Sequence, residues 1–201
     1  TYCQGKAILN SINLEDGEER FQKVCPLVKT YGAAVVVGCI DEDKAQGMAV
    51  TVERKLAIAG RSYKLLTEKY EIPGEDIFFD ALVFPAGTGD KNYRGSAKAT
   101  IEGVAAIKKA LPLAKTILGV SNVSFGLPPA GREVLNSVFL YLATKAGLDA
   151  AIVNSKRVMR YAAISDQERA LCENILYRGS DQDIAAFAEF YKEAKPKVSV
   201  D

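Results

Sequence analysis

Hydrophobic positions along this chain fall into short continuous runs, separated by longer segments in which they recur every three or four residues. That alternation predicts strands followed by helices. Lys6 to Ile12 is a short apolar run bounded by Gly5 and Glu15-Asp16, and it predicts a buried strand ending near Asn10. Phe21, Val24, Cys25, Val28 and Tyr31 then follow helical spacing, with Glu18 and Glu19 in the first turn and Gly32 closing it. Pro26 inside this pattern predicts a kink or a late start. Ala33 to Ile40 is valine-rich and continuously apolar, as a strand covered on both faces must be, and stops at Asp41-Glu42-Asp43.

The same succession continues down the chain. Lys44 to Thr51 is an ambiguous loop, and Val52 to Tyr70 predicts a long helix with Leu56, Ala59, Tyr63, Leu66 and Tyr70 on one side, punctuated by Pro73-Gly74. Ile77 to Val83 predicts a strand interrupted by Asp80, Phe84 to Asp90 a loop, and Ser96 to Leu111 a helix stopped by Pro112. Thr116 to Val120 predicts a fourth strand and Ala150 to Val153 a fifth, with a helix from Arg132 to Lys145 between them. Between that fourth strand and that helix, Ser121-Asn122-Val123-Ser124 breaks the apolar run with polar groups and does not continue as helix. Ser165 and Glu168 form a capping-box pattern opening a helix to Leu176, Ser180 to Ala194 predicts another, and Lys195 to Asp201 reads as a frayed tail.

Strands separated by single helices are the signature of a parallel sheet built from right-handed crossovers. No low-complexity linker divides the chain, so residues 1–201 read as one α/β domain with a helical C-terminal end.

Composition narrows the chemistry. Lys plus Arg number 26 and Asp plus Glu 25, so no global field selects nucleic acid or an anionic membrane, and the expected partner is a small molecule or a protein. No apolar run approaches the roughly 18 residues of a membrane span and no signal pattern opens the chain, which implies a cytoplasmic protein. Cys3, Cys25, Cys39 and Cys172 are scattered without a C-x-x-C pair, so neither a metal site nor a redox dithiol is expected. Histidine is absent, which removes Ser-His and Cys-His nucleophiles and His-ligated metals. Chemistry must therefore use amides, carboxylates, hydroxyls or a bound cofactor.

The strands end at or contain Asn10, Asp41, Asp80, Asn122 and Asn154. A parallel arrangement brings strand ends to one face, where α/β folds hold their ligands. Each also has a structural explanation: Asp41 as a solvated loop acid, Asn154 as the cap of a short turn, Ser121-Asn122 as a loop turn or cap. Asp80 is the exception, because Phe78, Phe79, Ala81 and Leu82 surround it and a buried carboxylate needs a donor. A flat heterocycle with adjacent ring N–H and amino groups, such as a pterin, offers a carboxylate two parallel hydrogen bonds while an amide reads its other edge. Gly87-Thr88-Gly89 is a weaker candidate, for a phosphate, since it opens no helix.

With those residues in view, the chain resembles the methyltetrahydrofolate-binding domains of cobalamin-dependent methionine synthases, within the pterin-binding methyltransferase and dihydropteroate synthase superfamily. The resemblance rests on Ile8-Leu9-Asn10-Ser11-Ile12-Asn13, Gly32-Ala33-Ala34-Val35-Val36-Val37, Phe78-Phe79-Asp80, Gly87-Thr88-Gly89 and the block from Leu118 to Pro129. It continues through Arg132 to Tyr141 and Ala151 to Asn154, and covers about residues 5 to 177.

The resemblance implies a partial (β/α)8 TIM barrel of about five parallel strand–helix units plus C-terminal helices, beginning just before the family's fourth strand. It implies that the chain is either a fragment of a longer protein or an open sheet with an incomplete pterin site. Asn10 and Asp80 are implied as pterin-ring ligands, Asn122 as the amide at the methyl-bearing N5, and Gly119, Ser121 and Arg132 as supporting contacts. Asn154 matches a strand-end position in the same site. The family usually has Pro where this chain has Ala81, which implies a looser hold on Asp80.

The implied reaction moves the N5 methyl group of 5-methyltetrahydrofolate to cob(I)alamin held on a separate module or protein. A half-barrel that needs a partner chain, a methyltransferase serving another corrinoid protein, and a dihydropteroate synthase-like enzyme are the alternatives. The Ser-Asn-Val-Ser block and the lack of a basic residue placed for a diphosphate argue against the last.

Overall fold

A computed structural model describes residues 4–194. Cys3 and the tail from Lys195 to Asp201 lie outside the described residues. Strands β1 (Ile8–Ile12), β2 (Ala34–Gly38), β3 (Ile77–Asp80), β4 (Lys115–Gly119) and β5 (Ala150–Ile152) form one sheet in sequence order. The pairs β1–β2, β2–β3 and β3–β4 are parallel. Helices α1 (Glu19–Tyr31), α2 (Val52–Lys64), α3 (Ser96–Ala110) and α4 (Pro129–Lys145) alternate with the strands, and α5 (Asp166–Tyr177) and α6 (Asp181–Tyr191) follow.

The chain divides into two compact units. The first takes the described residues up to Leu82 with Glu102–Leu118 and Gly147–Ala150; the second takes Val83–Ile101, Gly119–Ala146 and the described residues from Ala151.

In the first unit β2 is buried along its whole length, as its unbroken apolar run requires. β1 departs from expectation. It pairs only with β2, and Ile8 is 49% exposed, so Lys6 to Ile12 supplies an edge strand and not a buried one. Pro26 lies inside α1, which starts at Glu19 without delay and ends at Gly32, whose φ of 59° suits glycine. The helix predicted to Tyr70 is α-helical only to Lys64 and widens into a π-turn over Leu65–Lys69. Its buried face carries Lys55, Ile58, Ala59, Ser62 and Leu66, so Ala59 and Leu66 lie on it as predicted while Lys55 and Ser62 take the places expected of Leu56 and Tyr63. β3 stops at Asp80, so this acid ends the strand instead of interrupting it.

In the second unit, Val120–Ser124 coil into a short 3-10 helix, where the sequence suggested no helix. Prolines at 128 and 129 set the start of α4 three residues before Arg132. α5 and α6 both open with capping boxes, Ser165 with Glu168 and Ser180 with Asp183. Gly131 lets α4 approach α6: a Cβ there would stand 2.5 Å from Cε1 of the buried Phe187 and 2.8 Å from Cδ2 of Tyr191.

This close approach generates a stability prediction. Gly131→Ala gains about 1 kcal/mol of helix propensity but forces two packed rings apart, which costs about 1–3 kcal/mol or more. Urea unfolding is expected to give a net destabilisation of about 1 kcal/mol, whereas Gly60→Ala in α2, where nothing lies within 4 Å, is neutral or stabilising.

Candidate functional site

The second unit holds a cavity of about 210 Å³ lined by residues of the 3-10 turn after β4, the first half of α4 and the segment after β5. Three predicted site residues, Ser121, Arg132 and Asn154, line it together with Glu133, Asn136 and Arg157. The local sequence accounts for this placement. Ending β4 at Gly119 in a tight turn leaves Ser121 and Asn122 exposed, while Val120, Val123 and Ser124 turn inward. Ser124 Oγ donates to the Ser121 carbonyl at 3.2 Å and accepts Arg132 Nε at 3.1 Å, so the turn and α4 are tied by one buried hydroxyl.

Glu133 and Asn136 were not legible as site residues. Glu133 is 7% exposed; its Oε1 lies 3.4 Å from Arg157 Nη1, while its Oε2 has no hydrogen-bond partner. Asn136 Oδ1 is likewise buried without a partner. Two buried acceptors lining one cavity are costly unless donors reach them from within it. The available signal was phase: Glu133 falls three residues after buried Ala130, on the face an apolar residue would occupy.

Gly119 and Asn122 are not brought to the cavity wall, whereas Asn154 reaches it from a capped turn. Asn122 is exposed, its carbonyl accepting Phe125 N–H at 3.2 Å and its Nδ2 lying 3.9 Å from the position a Cβ on Gly119 would take. Asn154 Oδ1 accepts the Lys156 N–H at 3.2 Å, capping a 3-10 turn over Ser155–Arg157. Gly87-Thr88-Gly89 has a packing explanation. A Cβ on Gly87 would stand 2.3 Å from Leu127, and Gly89 takes a φ of 73°.

In the first unit Asn10 and Asp80 lie on β1 and β3, separated by β2. Asn10 pairs with Val36 and Asp80 with Gly38, so Asp80 stands two positions further along the ladder. The register shifts between Asn10 and Ile12, a bulge of the kind that re-aims side chains near sites, and the Asn10–Ser11 peptide is cis. Asn10 is exposed. Asp41 is not the solvated acid expected from sequence: its side chain is 11% exposed and accepts Arg54 Nη2 at 2.7 Å.

Asp80 finds a donor within the protein. Its Oδ1 accepts the Leu82 N–H at 2.9 Å, closing a turn in which Leu82 has a φ of 62°, a conformation costing a branched residue about 1–2 kcal/mol. Lys55, which the sequence reading passed over, reaches the same turn and donates to the carbonyls of Ala49, Ala81 and Leu82. Burial pushes the Asp80 carboxyl above its ordinary value, outweighing the Leu82 N–H and the Lys55 charge that pull it down. Burial lowers Lys55 to about 8 and raises the Cys39 thiol to about 12. Among the described residues no group of three or more His, Cys, Asp or Glu could hold a metal, and no helix is long and apolar enough to cross a membrane.

The strand order is that of an α/β fold, and in comparison with known proteins residues 2–154 match the pterin binding enzymes; the chain belongs to that family. Its fold is accordingly α/β, a partial barrel of the pterin-binding superfamily. The chain is 40% identical to the methionine synthase of Mycobacterium leprae over 176 residues, which is 86% of this chain and 14% of that protein. It is 38% identical to the methionine synthase of Mycobacterium tuberculosis over 191 residues, 94% of this chain and 16% of that one. The chain thus spans about one-seventh of the length of the curated relatives it matches.

The raised Asp80 carboxyl predicts a trade between stability and a polar site. A folded-state value above the unfolded one means that ionising Asp80 opposes folding, and that this cost is present at neutral pH and vanishes once the group is protonated in both states. Asp80→Asn is expected to stabilise the protein at pH 7, with the difference from wild type shrinking as pH falls through the acid range. Thermal unfolding measured across pH checks both the sign and the direction of the trend.

Proposed function

We propose that this chain binds 5-methyltetrahydrofolate and serves the transfer of its N5 methyl group to cob(I)alamin, as the folate half-reaction of methionine synthesis in the cytoplasm. The observation that carries the reading is the cavity after β4, where Ser121, Arg132 and Asn154 meet two buried acceptors without partners, in a chain of the pterin-binding family. A pterin ring bears amino and ring N–H donors of the kind such acceptors need. Asn122 is the residue at N5; Gly119, Ser121, Arg132 and Asn154 support it, and Asn10 and Asp80 are ligands of the ring.

In the reaction the N5–CH3 bond breaks and its electron pair stays on N5, which takes up a proton. A tertiary amine leaves poorly, so a hydrogen bond to N5 that strengthens as the bond breaks accelerates the step. The Asn122 amide can keep contact through this change, its oxygen accepting once N5 carries a proton and its nitrogen donating before. Bound cobalamin supplies the nucleophile for the methyl group. The sequence has no histidine to ligate its metal, so we assign cobalamin to another module.

We propose further that residues 1–201 are one pterin-binding barrel domain contributing five strand units. The sheet ends on β1 and β5, whose Ile8 and Ile152 are 49% and 53% exposed, and this favours additional barrel units from polypeptide outside this chain. The same edges support the second reading, a half-barrel completed by a partner chain.

The test separates the two kinds of residue in the full-length protein. Asp80→Ala is expected to weaken methyltetrahydrofolate binding about 10- to 100-fold by calorimetry, whereas Asn122→Ala lowers the methyl-transfer rate by about that factor with a smaller change in affinity. Wild-type binding and rate in both variants would contradict the assignment.

A further inference from the structure

Lys55 is 0% exposed, and α2 places it among Ile58, Ala59 and Ser62 on the buried face. Room for its stem comes from Gly103 of α3, where a Cβ would stand 2.7 Å from Lys55 Cδ. Its Nζ donates to the Ala49 carbonyl at 2.8 Å, before α2, and to the Ala81 and Leu82 carbonyls at 2.5 and 3.5 Å, after β3. The Ala81–Leu82 turn is the one whose N–H fixes the Asp80 carboxylate, and Leu82 holds a left-handed conformation that a branched side chain avoids unless its surroundings impose it. An ammonium is a dear occupant for a core position, where a methionine would pack without desolvation. Its position against two consecutive carbonyls explains the choice: it ties α2 to the turn whose N–H bonds the Asp80 carboxylate.

We propose that Lys55 is the positioning residue of the pterin site, holding the Asp80–Ala81–Leu82 turn so that the Asp80 carboxylate is fixed for a ligand's N–H donors. This rests on the reading of Asp80 as a pterin ligand.

A double-mutant cycle in the full-length protein tests it. Methyltetrahydrofolate affinity is measured by calorimetry for wild type, Asp80→Ala, Lys55→Met and the double variant. If Lys55 acts through Asp80, Lys55→Met weakens binding about tenfold when Asp80 is present and less than about twofold when Asp80 is already alanine. Equal losses in both backgrounds make Lys55 a residue of general stability and overturn the proposal, as does unchanged affinity in Lys55→Met. Unchanged affinity in Asp80→Ala alone marks instead the failure of the pterin-site reading.

Removing Lys55 strips three carbonyls of a donor and can cost the fold, so the unaltered protein supplies a second measurement. The titratable groups acting on Lys55 are Cys39, after β2, and Asp80, at the end of β3; Gly103 is its contact on α3. Cys39 titrates at about 12 and Lys55 at about 8, so Lys55 alone of the pair with Cys39 loses charge between about pH 7 and 9.5. Affinity is expected to be constant below about pH 7 and to fall as pH rises through about 8, with Asp80→Ala lacking the fall. The same profile in both proteins overturns the proposal.

Discussion

Parallel pairing around a strand with no exposed side is the constraint from which the first unit follows. β2 is buried throughout and hydrogen-bonded on both edges, so it can carry only apolar residues and has nowhere along its length for chemistry. Parallel neighbours require crossover helices, which return the chain to the same end of the sheet each time. Polar groups therefore accumulate where strands stop. Asp80 is the last residue of β3, and Asp41 follows the end of β2.

Polar groups at such ends must be satisfied, and the two units do this differently. In the first, the protein supplies the partners. Asp41 takes Arg54, and Asp80 takes a backbone N–H from a turn that Lys55 holds. In the second, part of the demand is left open, with Glu133 Oε2 and Asn136 Oδ1 buried beside a cavity. A group satisfied internally is ready before a ligand arrives, while an orphaned acceptor gains most when one does.

Much of this architecture was readable from residues whose local physics leaves little choice. Gly32 had to end α1, the Ser165 capping box had to open α5, and the valines after Ala33 had to be a covered strand. What escaped depended on contacts far apart in sequence. Lys6 to Ile12 carries an apolar Ala-Ile-Leu run that reads as a buried strand, and only its having a single neighbour makes it an edge. Lys55 sat in plain view at the phase of Ile58 and Ala59, but its acceptors include carbonyls 26 and 27 residues downstream. Asp41 looked solvated because Arg54 lies 13 residues away. The Ser121-Asn122 turn was legible as a polar break, though its 3-10 form depends on Ser124, whose hydroxyl joins the turn to Arg132.

The central claim is that Asn122 meets the methyl-bearing nitrogen of a folate. A crystal structure of the full-length protein with 5-methyltetrahydrofolate measures this directly, as the distance from N5 to the Asn122 side-chain amide. The account predicts hydrogen-bond distance, about 2.7–3.2 Å. A pterin bound with N5 turned away from Asn122, or lodged where neither Asn122 nor Asp80 touches it, would contradict it.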